Sequence, residues 1–208
     1  MSAGPAPRSS AATGVVFATI AMMLLPASAE AHLVTTGLGP VYDGITHVVL
    51  SPDDLVAALA LAAFAGLNGA AAGRLALFAV TGGWLAGGIA GLLVADPIVP
   101  VAVPIASFLV LGALTALDRR LSPAIVAVIA IAVGLLHGWM NGAGIAESGR
   151  EAMGLAGIGA TVFVVVALVA ALVTSLGAAW TRVAVRVAGS WVAAIGLLML
   201  GWALRGHV

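Results

Sequence analysis

The sequence contains no cysteine and no lysine, and only 8% of its 208 residues are charged. Without cysteine, the chain has no disulfides, no thiolate metal sites and no cysteine nucleophile. A bound metal must therefore be held by nitrogen, oxygen or methionine sulfur. Eight arginines balance eight acidic residues, so the chain also lacks the basic face that nucleic-acid binding requires.

The scarcity of charge excludes a soluble globular protein. Soluble proteins carry about 25% charged residues, whereas this chain is 62% hydrophobic and has a mean hydropathy of +1.21. A soluble domain of this length could not cover its surface with so few charges. The composition therefore predicts an all-α integral membrane protein embedded in the lipid bilayer.

Residues 1–31 have the three parts of a secretory signal peptide. One arginine precedes an apolar stretch, residues 14–25, that is too short for a comfortable membrane span. Small residues then permit cleavage after Ala29 or after Ala31, and the second cut would make His32 the mature N-terminus. The alternative is an uncleaved signal anchor.

Six long apolar runs predict a bundle of six transmembrane helices within residues 55–208. The runs cover residues 55–72, 75–95, 98–117, 122–140, 154–176 and 187–204. Each is long enough to cross a hydrocarbon core of about 30 Å at about 1.5 Å per residue. Glycines four residues apart, as at Gly83 and Gly87, predict close helix contacts in lipid. The tryptophans, Trp84 among them, lie mostly near predicted helix ends and are expected to be interfacial anchors.

Arginine asymmetry predicts the orientation. If the processed N-terminus is outside, the inner turns hold five arginines and the outer segments two, as the positive-inside rule requires. The inner arginines are Arg74, Arg119, Arg120, Arg182 and Arg186. We therefore expect a multi-pass protein of the bacterial inner membrane with both mature termini on the outer side.

Residues 32–54, which we call the entrance segment, concentrate polar groups before the first span. Polar groups at the mouth of a membrane bundle are costly and usually functional. Ser51 and Pro52 predict the start of the first span, as N-cap and first helical residue. A second polar pair, His137 and Asn141, lies four residues apart at the outer end of the fourth run. Imidazole suits nickel, cobalt, copper and zinc, and carboxylates admit harder ions. The predicted metal-binding residues are His32, Asp43, His47, Asp53, Asp54, His137 and Asn141.

Each candidate also has a structural explanation. Asp53 and Asp54 can cap a helix and complement its dipole, His32 can be an unstructured terminal residue, and His47 can bond to Asp43. His137 is harder to explain in this way, because an imidazole inside an apolar span must find a partner.

Enzyme chemistry is not expected. The sequence has no nucleophile–base pairing, no glycine-rich phosphate loop and no HExxH zinc motif. No organic cofactor is predicted.

Two short motifs resemble the HupE/UreJ family of membrane proteins, which are associated with nickel supply to hydrogenase and urease. The family carries a pattern of the form HPxxGxDH near its first span. The segment from His47 to Asp54 aligns with it without a gap, and His47 and Asp53 match. Val48 replaces the proline, and Asp54 stands where the family has its second histidine.

The second family pattern, FHGxAHG, corresponds to LHGWMNG, residues 136–142. His137 matches, and Asn141 replaces the last histidine. The resemblance implies a cleaved signal and six spans. Asp54 and Asn141 offer oxygen in place of imidazole. The site should therefore prefer nickel less strongly and should favour harder ions or more labile binding.

The sequence therefore leads to two hypotheses. The first is a permease or binding protein for a divalent transition metal, nickel or cobalt first, that works without ATP hydrolysis. The second is a non-transporting accessory or assembly partner of a metalloenzyme complex. Either protein could form a homo-oligomer.

Overall fold

The computed structural model describes residues 36–93, 102–146 and 151–205, and every regular element within these ranges is a helix. The all-α prediction is therefore confirmed. The helices are α1 (Pro40–Leu50), α2 (Pro52–Leu67), α3 (Ala70–Leu92), α4 (Ala102–Ala116), α5 (Pro123–Ile145), α6 (Glu151–Ser175) and α7 (Ala179–Arg205). The predicted signal peptide of residues 1–31 lies outside the described residues.

The described residues account for four or five of the six predicted spans. Within the described residues, α3, α5, α6 and α7 are long and apolar enough to cross a membrane, and α1 with α2 adds a fifth span if this pair is one broken helix. The chain bends by 75° between the two helices of this pair. Helix α4 has 15 residues within the described part of the chain, about 22 Å of helix, and the first residues of its predicted run, 98–117, lie outside the described residues.

The boundary between α2 and α3 comes earlier in the chain than the sequence predicts. The predicted run 55–72 continues across Asn68 and Gly69, where α2 ends and α3 has not begun. Gly69 has a φ of 98°, a left-handed conformation that glycine adopts without strain. Hydropathy alone could not locate this turn, because alanine and leucine continue on both sides of it.

The start of α2 follows the sequence prediction in position but not in bonding. Ser51 is the N-cap and Pro52 the first helical residue, yet the Ser51 side chain makes no capping hydrogen bond. Asp54, three residues after the N-cap, is buried on α2. Its carboxylate points into the bundle, as described below.

Glycines join α3 and α5 backbone to backbone. A methyl group added at Gly87 would overlap the Leu135 carbonyl, and one added at Gly138 would overlap the carbonyl of Trp84. The same relationship repeats along both helices, at Gly83, Gly91, Gly134 and Gly142. The small-residue pattern predicted from the sequence thus forms the most extensive helix pair of the described residues.

Helix α1 is held against α6 by the same device. An added Cβ at Gly44 would overlap the Gly154 carbonyl, and one at Gly157 would overlap the carbonyl of Val41. Part of the entrance segment is thus a helix packed on the bundle. This packing positions the next turn of α1, which carries His47.

Polar contacts join α7 and the turn before α5 to the C-terminal end of α2. Arg182 of α7 forms a bidentate ion pair with Asp118 and donates to the Leu67 carbonyl. Arg186 donates to the Ala116 carbonyl at 3.0 Å. The Asn68 Oδ1 accepts from the Leu121 amide at 2.8 Å. The predicted inner turns therefore meet at one end of the bundle.

The five tryptophans differ in exposure, and Trp139 on α5 is partly buried. Trp180, Trp191 and Trp202 are exposed along α7, which is the least buried of the long helices. Trp84 is fully buried. The expectation that Trp84 is an interfacial anchor was therefore wrong, because its ring is packed inside the bundle.

Candidate metal-binding site

His137 is the centre of a buried polar cluster. It lies on α5, one residue before a glycine that contacts the α3 backbone, and its side chain is completely buried. Its two ring nitrogens face two different helices. Nδ1 lies 2.8 Å from Asp54 Oδ1, and Nε2 lies 3.0 Å from Ser107 Oγ. Both nitrogens of the imidazole are thus engaged.

Asp54 connects the two family motifs. Asp54 is 1% exposed, and its carboxylate reaches α5 from the first turn of α2. Oδ1 faces His137, and Oδ2 accepts from Asn141 Nδ2 at 2.8 Å. With Asp54 ionised, His137 carries its proton on Nδ1 and donates to the carboxylate, which leaves a lone pair on Nε2. Carboxylate–histidine pairs of this kind orient imidazoles at metal sites.

Asn141 presents an unused oxygen to the same cluster. Its Nδ2 donates both to Asp54 and to the His137 carbonyl, the latter at 3.0 Å. Because both of these partners are acceptors, the amide orientation is determined by the hydrogen bonds. Asn141 Oδ1 is buried and has no hydrogen-bond partner in the described part of the chain. Buried oxygens are rarely left without a partner, and this one is available as a ligand for a cation.

His47 approaches the cluster from α1. Its Nε2 lies 3.8 Å from Asp54 Oδ2, and its side chain is 17% exposed. This separation is too long for a hydrogen bond. A metal with bonds of about 2.0–2.2 Å to nitrogen and oxygen holds two ligands about 3–4 Å apart. The spacing of His47 and Asp54 therefore fits a shared cation.

Trp84 closes the cluster on its α3 side. Its ring centroid lies 5.3 Å from that of His137, and the rings are tilted by 36°. The indole Nε1 is buried without a hydrogen-bond partner among the described residues. Stacking on an aromatic ring restricts the rotation of His137 and excludes water from one of its faces.

The remaining predicted residues take outer or supporting positions. Asp53 is half-buried and lies next to Asp54 in the first turn of α2. Asp43 is buried on α1 and accepts hydrogen bonds from the Thr36 amide and hydroxyl, at 2.7 and 2.6 Å. The prediction for His32 lies outside the described residues.

The cluster is not a preassembled cage of ionisable ligands. Within residues 36–93, 102–146 and 151–205, no three histidine, aspartate or glutamate side chains are grouped so as to hold a metal ion. In addition, both ring nitrogens of His137 already bond to protein groups. A bound metal would take Asp54 and His47 directly and would need further ligands of another kind.

Two residues of the cluster were not predicted from the sequence. Ser107 and Trp84 belong to apolar runs with no motif around them. The available signal at Ser107 was its hydroxyl in the middle of the run 98–117, because a polar side chain inside a span tends to face the protein interior. Trp84 offered no comparable signal.

The family model described as HupE / UreJ protein matches residues 20–199. No curated protein and no solved structure matches the chain. The matched range includes every residue of the buried cluster.

Proposed function

Because this chain belongs to the HupE / UreJ protein family, we propose that it binds a divalent transition metal and moves it across the bacterial inner membrane, with nickel or cobalt as the substrate. Proteins of this family are membrane proteins linked to nickel or cobalt uptake or to metalloenzyme maturation. The assignment to transport, and to these metals, is our proposal.

One observation supports it above the others. Asp54 contacts His137 and Asn141, which lie 83 and 87 residues further along the chain. These residues stand at motif positions of the two segments that resemble the family. A buried carboxylate, imidazole and carboxamide converge inside a membrane bundle at considerable desolvation cost. Such a cluster is retained where an ion or a proton must be handled.

The metal would first meet the outer edge of this cluster. His47 is the most exposed of the four contacting residues and sits 3.8 Å from Asp54. We assign His47 Nε2 and Asp54 Oδ2 as its first two ligands, with Asn141 Oδ1 as an available oxygen. Asp53 adds negative charge nearby, and Asp43 steadies α1. A site with few strong ligands releases its ion readily, as a transporter requires.

Movement would be facilitated or driven by a gradient. The full sequence contains no glycine-rich phosphate loop of the ATP-binding type. The oxygen donors Asp54 and Asn141 replace the imidazoles of the family pattern and reduce the preference for nickel over harder ions.

The decisive experiment substitutes His137. Cells expressing the protein and its His137→Gln variant at equal membrane levels are compared for uptake of Ni²⁺ and Co²⁺. Glutamine keeps polarity and approximate size, but it removes the imidazole that orients the Asp54 carboxylate and is itself a poor ligand for these ions, so uptake should be lost. Thr161→Val is the matched control, because this buried hydroxyl on α6 bonds only to its own helix at Gly157.

A companion variant tests the shared site from the other side. Asn141→His restores the family pattern. It should tighten nickel binding if the side chains at positions 137 and 141 share a site. If His137→Gln takes up metal like the parent, the permease assignment is abandoned in favour of an accessory role in metalloenzyme assembly.

A further inference from the structure

Ser107 makes a bond that the other described helical hydroxyls do not make. Thr81, Thr115 and Thr161 each donate to the carbonyl one turn earlier in their own helix. This is the usual way in which a hydroxyl is satisfied inside an apolar helix. Within the described helices, Ser107 is the hydroxyl that bonds to a side chain of another helix, His137.

The bond falls on the nitrogen that a metal would need. Asp54 holds His137 Nδ1, so Nε2 is the nitrogen left to coordinate an ion. Ser107 Oγ lies 3.0 Å from this Nε2 and is itself 6% exposed. In the neutral tautomer with Nδ1 protonated, the serine hydroxyl donates to the Nε2 lone pair. A metal ion and the Ser107 hydroxyl therefore compete for the same lone pair.

The helix that carries Ser107 has little direct packing on the helix that carries His137. Helix α4 packs extensively on α7, less on α2, and meets α5 over a small area. By contrast, α3 and α5 are joined through glycines along much of their length. Separating Ser107 from His137 thus disturbs little packing, whereas displacing Trp84 from His137 would disturb the tightest helix pair.

On this basis we infer that Ser107 is a displaceable cap on His137 and determines how tightly the proposed substrate is held. The inference rests on the proposed function. A metal that leaves the outer pair of His47 and Asp54 binds His137 when Nε2 exchanges the serine hydroxyl for the ion. These are two successive positions, because Nε2 lies on the edge of the imidazole that faces away from Asp54. No covalent bond changes in this exchange, and the hydroxyl keeps its proton and turns to a backbone carbonyl of its own helix, as the threonines do.

The cap predicts that removing the hydroxyl tightens metal binding. A neutral hydrogen bond contributes a modest net free energy, so Ser107→Ala should lower the dissociation constants for Ni²⁺ and Co²⁺ by about 2- to 10-fold. The measurement is calorimetric titration of the purified full-length protein in detergent. Thr115→Val is the control, because this hydroxyl is equally buried on the same helix and bonds to Leu111. Its affinity should equal that of the parent.

A double-mutant cycle separates the cap from a general packing effect. In the His137→Gln background, Ser107→Ala should leave the dissociation constant unchanged, because the competing nitrogen is gone. An equal or weaker affinity of Ser107→Ala in the His137 background overturns the inference. So does a tightening that persists in the His137→Gln background.

A measurement on the parent itself makes the test independent of how the variants fold. With ¹⁵N-labelled histidine, addition of diamagnetic Zn²⁺ should shift the His137 Nε2 resonance while Nδ1 stays protonated. Metal binding without a shift at Nε2 overturns the cap and leaves the proposed function standing. A parent that binds none of the three ions overturns both.

Discussion

His47 Nε2 and Asp54 Oδ2 lie 3.8 Å apart across the bend between α1 and α2. The two helices meet at 75°, so the last turn of α1 faces the first turn of α2. A straight helix would separate positions 47 and 54 by about 10 Å along its axis. The bend therefore creates the pair, and the Ser51-Pro52 boundary creates the bend.

Replacing His47 should weaken metal binding. We expect His47→Gln to raise the dissociation constant for Ni²⁺ at least about tenfold, because an imidazole ligand is lost and Asp54 alone remains at the outer edge. The check is titration of the purified protein with Ni²⁺. Tyr42→Phe, an exposed change on the same helix, serves as the control and should bind as the parent does. Equal affinities for His47→Gln and the parent would remove His47 from the site.

The glycine contact between α3 and α5 should be intolerant of a single methyl group. Gly87→Ala places a Cβ against the Leu135 carbonyl, so the free energy of unfolding should fall by about 1–3 kcal/mol. Gly82→Ala on the same helix meets nothing within 4 Å and should be neutral or slightly stabilising, since alanine is the better helix former. Thermal unfolding in detergent measures both. Similar melting temperatures for the two variants would contradict the close packing.

The ion pair at the other end of the bundle should stabilise the protein in a pH-dependent way. The hydrogen bond from Arg182 lowers the pKa of Asp118 below its usual 3.8, with burial acting in the opposite direction. A lowered folded-state pKa contributes stability that is complete above the unfolded value and is lost as the pH falls through the folded value. Asp118→Asn should therefore melt below the parent at neutral pH.

The difference between Asp118→Asn and the parent should disappear in acid, at pH values below the folded-state pKa of this carboxyl group. The measurement is the melting temperature of both proteins across this range. A difference that stays constant as the pH falls would show that the Asp118 charge contributes nothing, and that the variant acts through the turn alone.

The arginine asymmetry predicts which end of the bundle is cytoplasmic. Alkaline phosphatase, which is active only outside the cytoplasm, should be active when fused after Val208 and inactive when fused near Arg119. The two fusions control for each other's expression. The opposite pattern would place His47 and Asp54 on the cytoplasmic side and reverse the direction from which a metal meets them.

Much of the architecture followed from composition, because a chain with few charges and long apolar runs must form membrane helices. The positions of helix ends followed less well. Polar or glycine residues such as Gly69 end α2 and begin α3, but in an alanine-rich chain they do not interrupt hydropathy. The small-residue faces of α3 and α5 were predictable because their spacing directly reports a close approach.

The site was predictable only where a motif marked it. His137, Asp54 and Asn141 attract notice as polar residues in or beside apolar runs, and the structure shows that they contact one another. Ser107 was not predicted, because its partner lies 30 residues away on another helix. A one-dimensional pattern reports the face on which a residue lies, not the neighbour that the packing brings to it.

The interlocked glycines of α3 and α5 limit how a path to His137 can open. Backbones in direct contact cannot slide past each other without overlap or a gap, so these two helices should move as a single rigid unit. This unit carries His137, Asn141 and Trp84 together. If the protein transports a metal as proposed, we expect access to the imidazole to open by motion of the surrounding helices, α1 and α2 on one side and α4 on the other, around these two helices.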